Sequence, residues 1–160
     1  MENNKNYIDI LILSQKKKIE ILEQLSQHTK EEETLLKNKQ ATVDEIDEIE
    51  EKKKLALEEL EKADQGFERV YQRVKETLEE NKYEYEKEIK TLQGLIRKIT
   101  DYTAKIQAQE LRNKQLMELF LQQKKQDIRT FYNNHNTTTQ YTMHLANRES
   151  GQSYFFDKKK

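Results

Sequence analysis

Proline is absent from all 160 residues. Proline fixes its own φ, lacks an amide donor and breaks helix interiors, and it is common in loops. A chain that avoids it is either mostly helix or a disordered polyampholyte, and hydrophobic periodicity decides between the two. Only 34% of the residues are hydrophobic, against 37% charged. That is too little apolar material for a thick globular core, but enough for an elongated helical assembly with narrow apolar seams.

Three segments carry such a seam. The first, about 6–38, places Tyr7, Ile10, Leu11, Ser14, Lys18, Ile21, Leu22, Leu25, His28, Glu32 and Leu35 at steps of three and four, as one helix face requires. After Lys39-Gln40-Ala41 comes Thr42, with Glu45 three residues on; this Thr-x-x-Glu capping box opens a second helix over 43–80. Its stripe is Ile46, Ile49, Lys53, Leu57, Leu60, Ala63, Phe67, Val70, Val74 and Leu78. The stripe keeps phase through Gly66, which reads as a kink or a tight packing point; the competing reading has Asp64 capping a new helix. The polar run Glu80-Asn81-Lys82-Tyr83 suits a chain reversal. A third helix, about 84–132, carries Ile89, Leu92, Ile96, Ile99, Thr103, Ile106, Glu110, Asn113, Met117, Phe120, Lys124, Asp127 and Phe131 in near-heptad spacing. Three stripes joined by short turns imply an all-α, elongated antiparallel three-helix coiled-coil bundle over 1–132. From Asn133 an Asn/Thr-rich tract of poor helix propensity begins, so 133–160 reads as a flexible or partner-ordered tail.

The sequence offers no chemistry for catalysis. It has no His-Glu-x-x-His, P-loop, Gly-x-Gly-x-x-Gly or Gly-x-Ser-x-Gly pattern. His28, His135 and His144 are far apart, and cysteine is absent, which excludes a thiolate metal site. No catalytic, cofactor-binding or metal-binding residues are expected, and the chain is read as a non-enzymatic binding protein. A net charge of −1 gives no general attraction to nucleic acid. Residues 41–80 are acidic, with fourteen Asp or Glu against seven Lys or Arg; residues 124–160 are mildly basic, seven against three. Met1 to Lys5 has no signal-peptide layout, and the apolar run Ile8 to Leu13 is short and broken by Asp9. A soluble cytoplasmic protein without stable membrane insertion is therefore expected.

Two apolar clusters exceed what a narrow seam needs: Ile8, Ile10, Leu11, Ile12 and Leu13, and Leu116, Met117, Leu119, Phe120 and Leu121. Each covers most of a helix circumference. It serves either a wider core packed on both sides or a docking surface. In an up-down-up bundle the longer third helix is expected to overhang from roughly Phe120 onward. Leu116, Leu119, Phe120, Leu121, Ile128 and Phe131 are thus the expected partner-binding surface, with Tyr141, Phe155 and Phe156 as tail anchors. Glu110 and Asn113 fall on the seam itself, where a polar layer fixes register at a cost in stability.

Several stretches resemble the FlgN-type flagellar export chaperones: Tyr7-Ile8-Asp9-Ile10-Leu11, Asp64-Gln65-Gly66-Phe67-Glu68-Arg69-Val70-Tyr71, Ile106-Gln107-Ala108-Gln109-Glu110-Leu111-Arg112-Asn113, and the ending Ser153-Tyr154-Phe155-Phe156-Asp157-Lys158-Lys159-Lys160. FliT-type flagellar chaperones share the size and the helical build. The resemblance implies a cytoplasmic type III export chaperone needing neither nucleotide nor metal. Such a chaperone shields the terminal helices of hook–filament junction-type clients and brings them to the export gate. The Asn133–Thr139 tract matches nothing assignable in that family. The alternative is a structural or tethering coiled coil that homo-oligomerises, and a homodimer fits either reading. A third reading uses Lys158, Lys159 and Lys160 on lipid or nucleic acid, where three lysines supply little affinity.

Overall fold

The computed structural model describes residues 2–124. They form three helices: α1 (Glu2–Lys37), α2 (Val43–Glu80) and α3 (Glu86–Gln123). At a rise of about 1.5 Å per residue each is roughly 55 Å long. α1 starts about four residues earlier than the expected helix, and α3 about two residues later. Residues 125–132 of the expected third helix and the expected tail lie outside the described residues.

α1 is the central strut. It packs closely along both α2 and α3, which approach each other less closely. The bundle runs up, down, up: the start of α1 meets the end of α2 and the start of α3. Three apolar clusters record this order. The first joins Ile8 and Leu11 to Phe67, Val74 and Leu78 of α2, to Tyr85 of the α2–α3 connection and to Leu92 of α3. The middle one joins Ile19, Ile21, Leu22 and Leu25 to Ala56, Leu57 and Leu60 and to Ile99 and Ile106. The last joins Leu36, Ala41 and Ile46 to Met117, Phe120 and Leu121.

Polar layers separate them. Between the first and middle clusters, buried Lys18 meets Asp64 at 2.6 Å, and buried Gln15 lies one turn before it. Between the middle and last clusters, Thr29, Glu32, Glu50, Lys53 and Asn113 are all buried.

The two connections are built differently. At 38–42, the Asn38 side chain accepts from the Gln40 amide at 3.0 Å, and Ala41 is buried beneath the turn. The capping box forms as the sequence required: Glu45 N–H donates to Thr42 Oγ1 at 3.2 Å, and Thr42 N–H donates to Glu45 Oε1 at 3.3 Å. At 81–85 Asn81 closes α2 through its side-chain amide, which donates to the Thr77 carbonyl at 3.2 Å. Buried Tyr85 pins the reversal to the first cluster, which delays the start of α3 to Glu86.

α2 runs through Gly66 without a break. The tight-packing reading of that residue is corrected, because a Cβ built there meets nothing within 4 Å. Gly66 has no positive φ, so it only weakens the helix. Gly66→Ala should therefore stabilise the chain by about 0.5–1 kcal/mol, and Thr42→Ala should destabilise it by about 1 kcal/mol. Urea denaturation at constant slope measures both; a Gly66→Ala variant less stable than the parent would mean that the glycine serves a backbone need.

Candidate functional site

The described end of α3 is where the expected binding residues fall. α1 and α3 are joined side by side by hydrogen bonds between residues 76 to 84 positions apart. At the 81-residue offset of the Thr29–Glu110 pair, Phe120 stands level with Lys39, in the α1–α2 turn. The turn folds under α3, and Lys124 Nζ donates to the Lys39 carbonyl at 3.3 Å.

The expected overhang from Phe120 onward is corrected on this ground. Phe120 and Leu121 are buried against Leu36, Ala41 and Ile46 and close the end of the bundle. They are not a free surface. Leu116 packs half-buried on the same cluster, and Leu119 points outward, 56% exposed. Ile128, Phe131, Tyr141, Phe155 and Phe156 lie outside the described residues, as do His135 and His144. The other apolar surplus divides in the same way: Ile8 and Leu11 are fully buried, while Ile10 and Leu13 are exposed.

Beside the closed end sits the ionic layer, which all three helices build. Lys53 of α2 is at its centre. Its ammonium lies 2.7 Å from Glu110 of α3, 3.0 Å from Glu32 of α1 and 3.8 Å from Glu50 one turn earlier on α2. Asn113 Nδ2 donates to the Thr29 carbonyl at 2.8 Å and to Glu32 Oε1 at 3.1 Å. Gln109 Nε2 donates to Asn113 Oδ1 at 2.9 Å and to Glu33 Oε2 at 2.7 Å, so the network reaches the surface. Thr29 Oγ1 donates back to the Leu25 carbonyl at 2.7 Å and approaches Glu110 Oε1 at 3.3 Å.

Three carboxylates thus surround one ammonium. Burial opposes the charge of Lys53, but Glu110, Glu32 and Glu50 outweigh it and hold the ammonium well above the usual lysine range. Glu110 is shifted in the unfavourable direction. Burial raises its carboxyl above the ordinary glutamate value, Lys53 opposes this, and Glu32 adds to it. Glu33, at the exposed edge, is lowered by hydrogen bonds from Lys37 and Gln109. Glu32 Oε2 is buried without a hydrogen-bond partner among the described residues.

Glu110 and Asn113, the polar residues expected on the seam, are both in the layer. Thr29, which meets both of them, and Glu50, which meets Lys53, lie off the apolar stripes. Lys53 and Glu32 already lay on the stripes, and a seam lysine beside seam glutamates was the available signal. Elsewhere, Glu23, Ser26, Gln27, Lys30, Glu31, Thr34 and Tyr102 line an open groove between α1 and α3. Each of these side chains carries a polar or charged group. His28 sits 3.7 Å from Glu31 at the surface. Among the described residues, no group of three or more acidic or histidine side chains is placed to hold a metal ion. No described helix is long and apolar enough to cross a membrane.

The layer's charges have opposite worth when removed singly. Lys53→Met strands Glu32 and Glu50 in the core and should destabilise the bundle by about 3–5 kcal/mol. Glu110→Gln removes a surplus charge and leaves Lys53 two carboxylates, so stability at neutral pH should be unchanged or higher. The sign of the pH effect follows from the raised carboxyl of Glu110. Between the unfolded glutamate value and the raised one, the folded state holds the extra proton, so stability falls as pH rises through that window. The advantage of Glu110→Gln over the parent should thus be largest at neutral pH and vanish in acid. Paired urea melts across that range measure it; a constant difference would mean that Glu110 is ionised as easily in the bundle as in water.

Comparison with known proteins gives one match. No curated protein and no solved structure matches the chain. A family model described as FlgN protein matches residues 1–148, which includes all three helices and continues past the last described residue. With that match over most of its length, and with the helical bundle the resemblance implied, the chain belongs to the FlgN family.

Proposed function

We propose that the protein is a cytoplasmic flagellar type III export chaperone. In this reading it binds hook–filament junction-type substrates, shields their terminal helices from aggregation and delivers them to the export gate. The observation that carries the reading is family membership over residues 1–148. The physical build agrees with it. A thin bundle with polar faces has little to offer a small-molecule substrate. It does offer long helices, and apolar side chains left outside its core can engage another amphipathic helix. Ile10, Leu13, Leu111 and Leu119 are such side chains.

Leu116 and Leu119 form the accessible part of the proposed client surface on α3, with Ile128, Phe131, Tyr141, Phe155 and Phe156 further along the chain. Phe120 and Leu121 join it only when the end of the bundle opens. Binding requires no nucleotide, cofactor or metal in this scheme.

The test is retrieval of clients by the tagged full-length chain from lysate of its own cells, followed by reconstitution with the purified client. A stoichiometric complex with a helical junction-type protein is expected. Leu119→Asp should weaken it about tenfold or more without loss of helicity, as truncation at an interface hot spot does. Leu55→Asp, equally exposed on α2, should leave it unchanged. A chain that binds no such client and instead elutes as a rod-like homo-oligomer is the structural coiled coil, and the chaperone reading then fails.

A further inference from the structure

The last apolar cluster is small, and the Lys53 layer cuts it off from the rest of the core. Its buried members are Leu36, Ala41, Ile46, Met117, Phe120 and Leu121, and none of them belongs to the middle cluster. Cooperative unfolding depends on side chains that pack continuously, so a polar layer between two apolar clusters is a natural boundary between units that open separately. A buried ionic layer adds little net stability to bind them, because desolvation of its charges offsets most of their attraction.

The three helices are not equally held at this end. α1 and α2 are tied by the five-residue turn and its capping box. α3 is held by its three apolar side chains, by the Asn113 and Gln109 hydrogen bonds, and by Lys124 on the Lys39 carbonyl. α3 also contributes Glu110, whose carboxyl burial raises above the ordinary glutamate value. When Glu110 leaves it regains water, and Lys53 keeps Glu32 and Glu50.

We propose that the Lys53 layer is a fault line: α3 opens from Gln109 onward while the rest of the bundle stays folded, and the vacated seat on Leu36, Ala41 and Ile46 takes an amphipathic helix with basic flanks. The flanking charge follows from α2. Around Ile46, residues 44–51 of α2 carry six carboxylates and no basic residue; Asp44, Glu48 and Glu51 are exposed, and Glu50 is held by Lys53. The occupant's seam repeats the pattern it displaces, an apolar triplet spaced like Met117, Phe120 and Leu121. The opening is a property of the free chain and does not depend on the chaperone reading. The occupant rests on that reading and gives its client a seat.

Native-state hydrogen exchange on the free full-length chain tests the opening. Amides of residues 113–121 should be protected about tenfold or more below those of 96–106. Glu110→Gln should raise the protection of 113–121 several-fold and leave that of 96–106 unchanged. Equal protection across α3, or a fall at 113–121 in the variant, overturns the fault line.

A fluorescent synthetic peptide of residues 109–124 carrying Glu118→Lys tests the seat, with the Lys114→Glu peptide as its counterpart. The basic peptide should bind the full-length chain several-fold tighter, and binding should weaken in the Glu110→Gln chain, whose seat is open less often. Methyl shifts confined to Leu36 and Ile46 locate it. Failure of both peptides to bind a chain that does open overturns the occupant. Loss of client retrieval with both peptide and exchange results intact overturns the chaperone reading instead.

Discussion

The register of this bundle hangs on one ammonium. Apolar seams built from leucine and isoleucine tolerate sliding, because neighbouring turns of a seam look alike to the helix opposite. Lys53 removes that tolerance. A buried lysine without carboxylates at hydrogen-bond distance is prohibitively unstable, so α1 must bring Glu32 to its level, and α3 sets Glu110 at the same height. A shift of one turn on either helix carries its carboxylate some 5.4 Å away and takes one of three partners from the ammonium. The Lys18–Asp64 pair applies the same constraint to α1 and α2 nearer the other end. Two ionic layers thus specify what three apolar clusters stabilise.

The same layers explain which features the sequence discloses. On α2 and α3 the three-four stripe names nearly every buried position, because each of these helices presents its apolar face chiefly towards one neighbour. On α1 the stripe is less accurate. It takes Ile10 and Leu35, where the structure buries Ile8 and Leu36. α1 packs on two neighbours, so its buried positions spread over a wider arc, and a single best stripe cannot trace both contacts. The capping box at Thr42 was legible because it is local, closed within four residues. The pairing of Lys53 with Glu32 and Glu110 was not, since it joins residues 21 and 57 positions apart through tertiary register alone.

The overhang expected at Phe120 and Leu121 has a comparable origin. Helix lengths read from sequence ignore what the turns do. The 38–42 turn tucks Ala41 beneath the end of α3 and supplies a floor where a bare helix count leaves open space. An apolar cluster covering most of a helix circumference is ambiguous between a core with two neighbours and a docking face. At Leu116 to Leu121 the structure divides it, with the inward residues forming a plug and Leu119 left outside.

That division bears on how such a bundle can hold a helical partner. A protein that must take up and release long apolar helices meets conflicting demands, since an open groove invites aggregation and a sealed core binds nothing. A core made of separate apolar cells reconciles them. The middle cluster, flanked by both ionic layers, can keep the three helices aligned while an end cell exchanges one helix for another. The exchange is most favourable where the displaced segment carries a charge that prefers water, and α3 carries Glu110 at that boundary. Selection for a maximally stable bundle would place an apolar residue there, as the heptad pattern around it does. The glutamate marks the register in the closed state, and its buried carboxyl is disfavoured there relative to water.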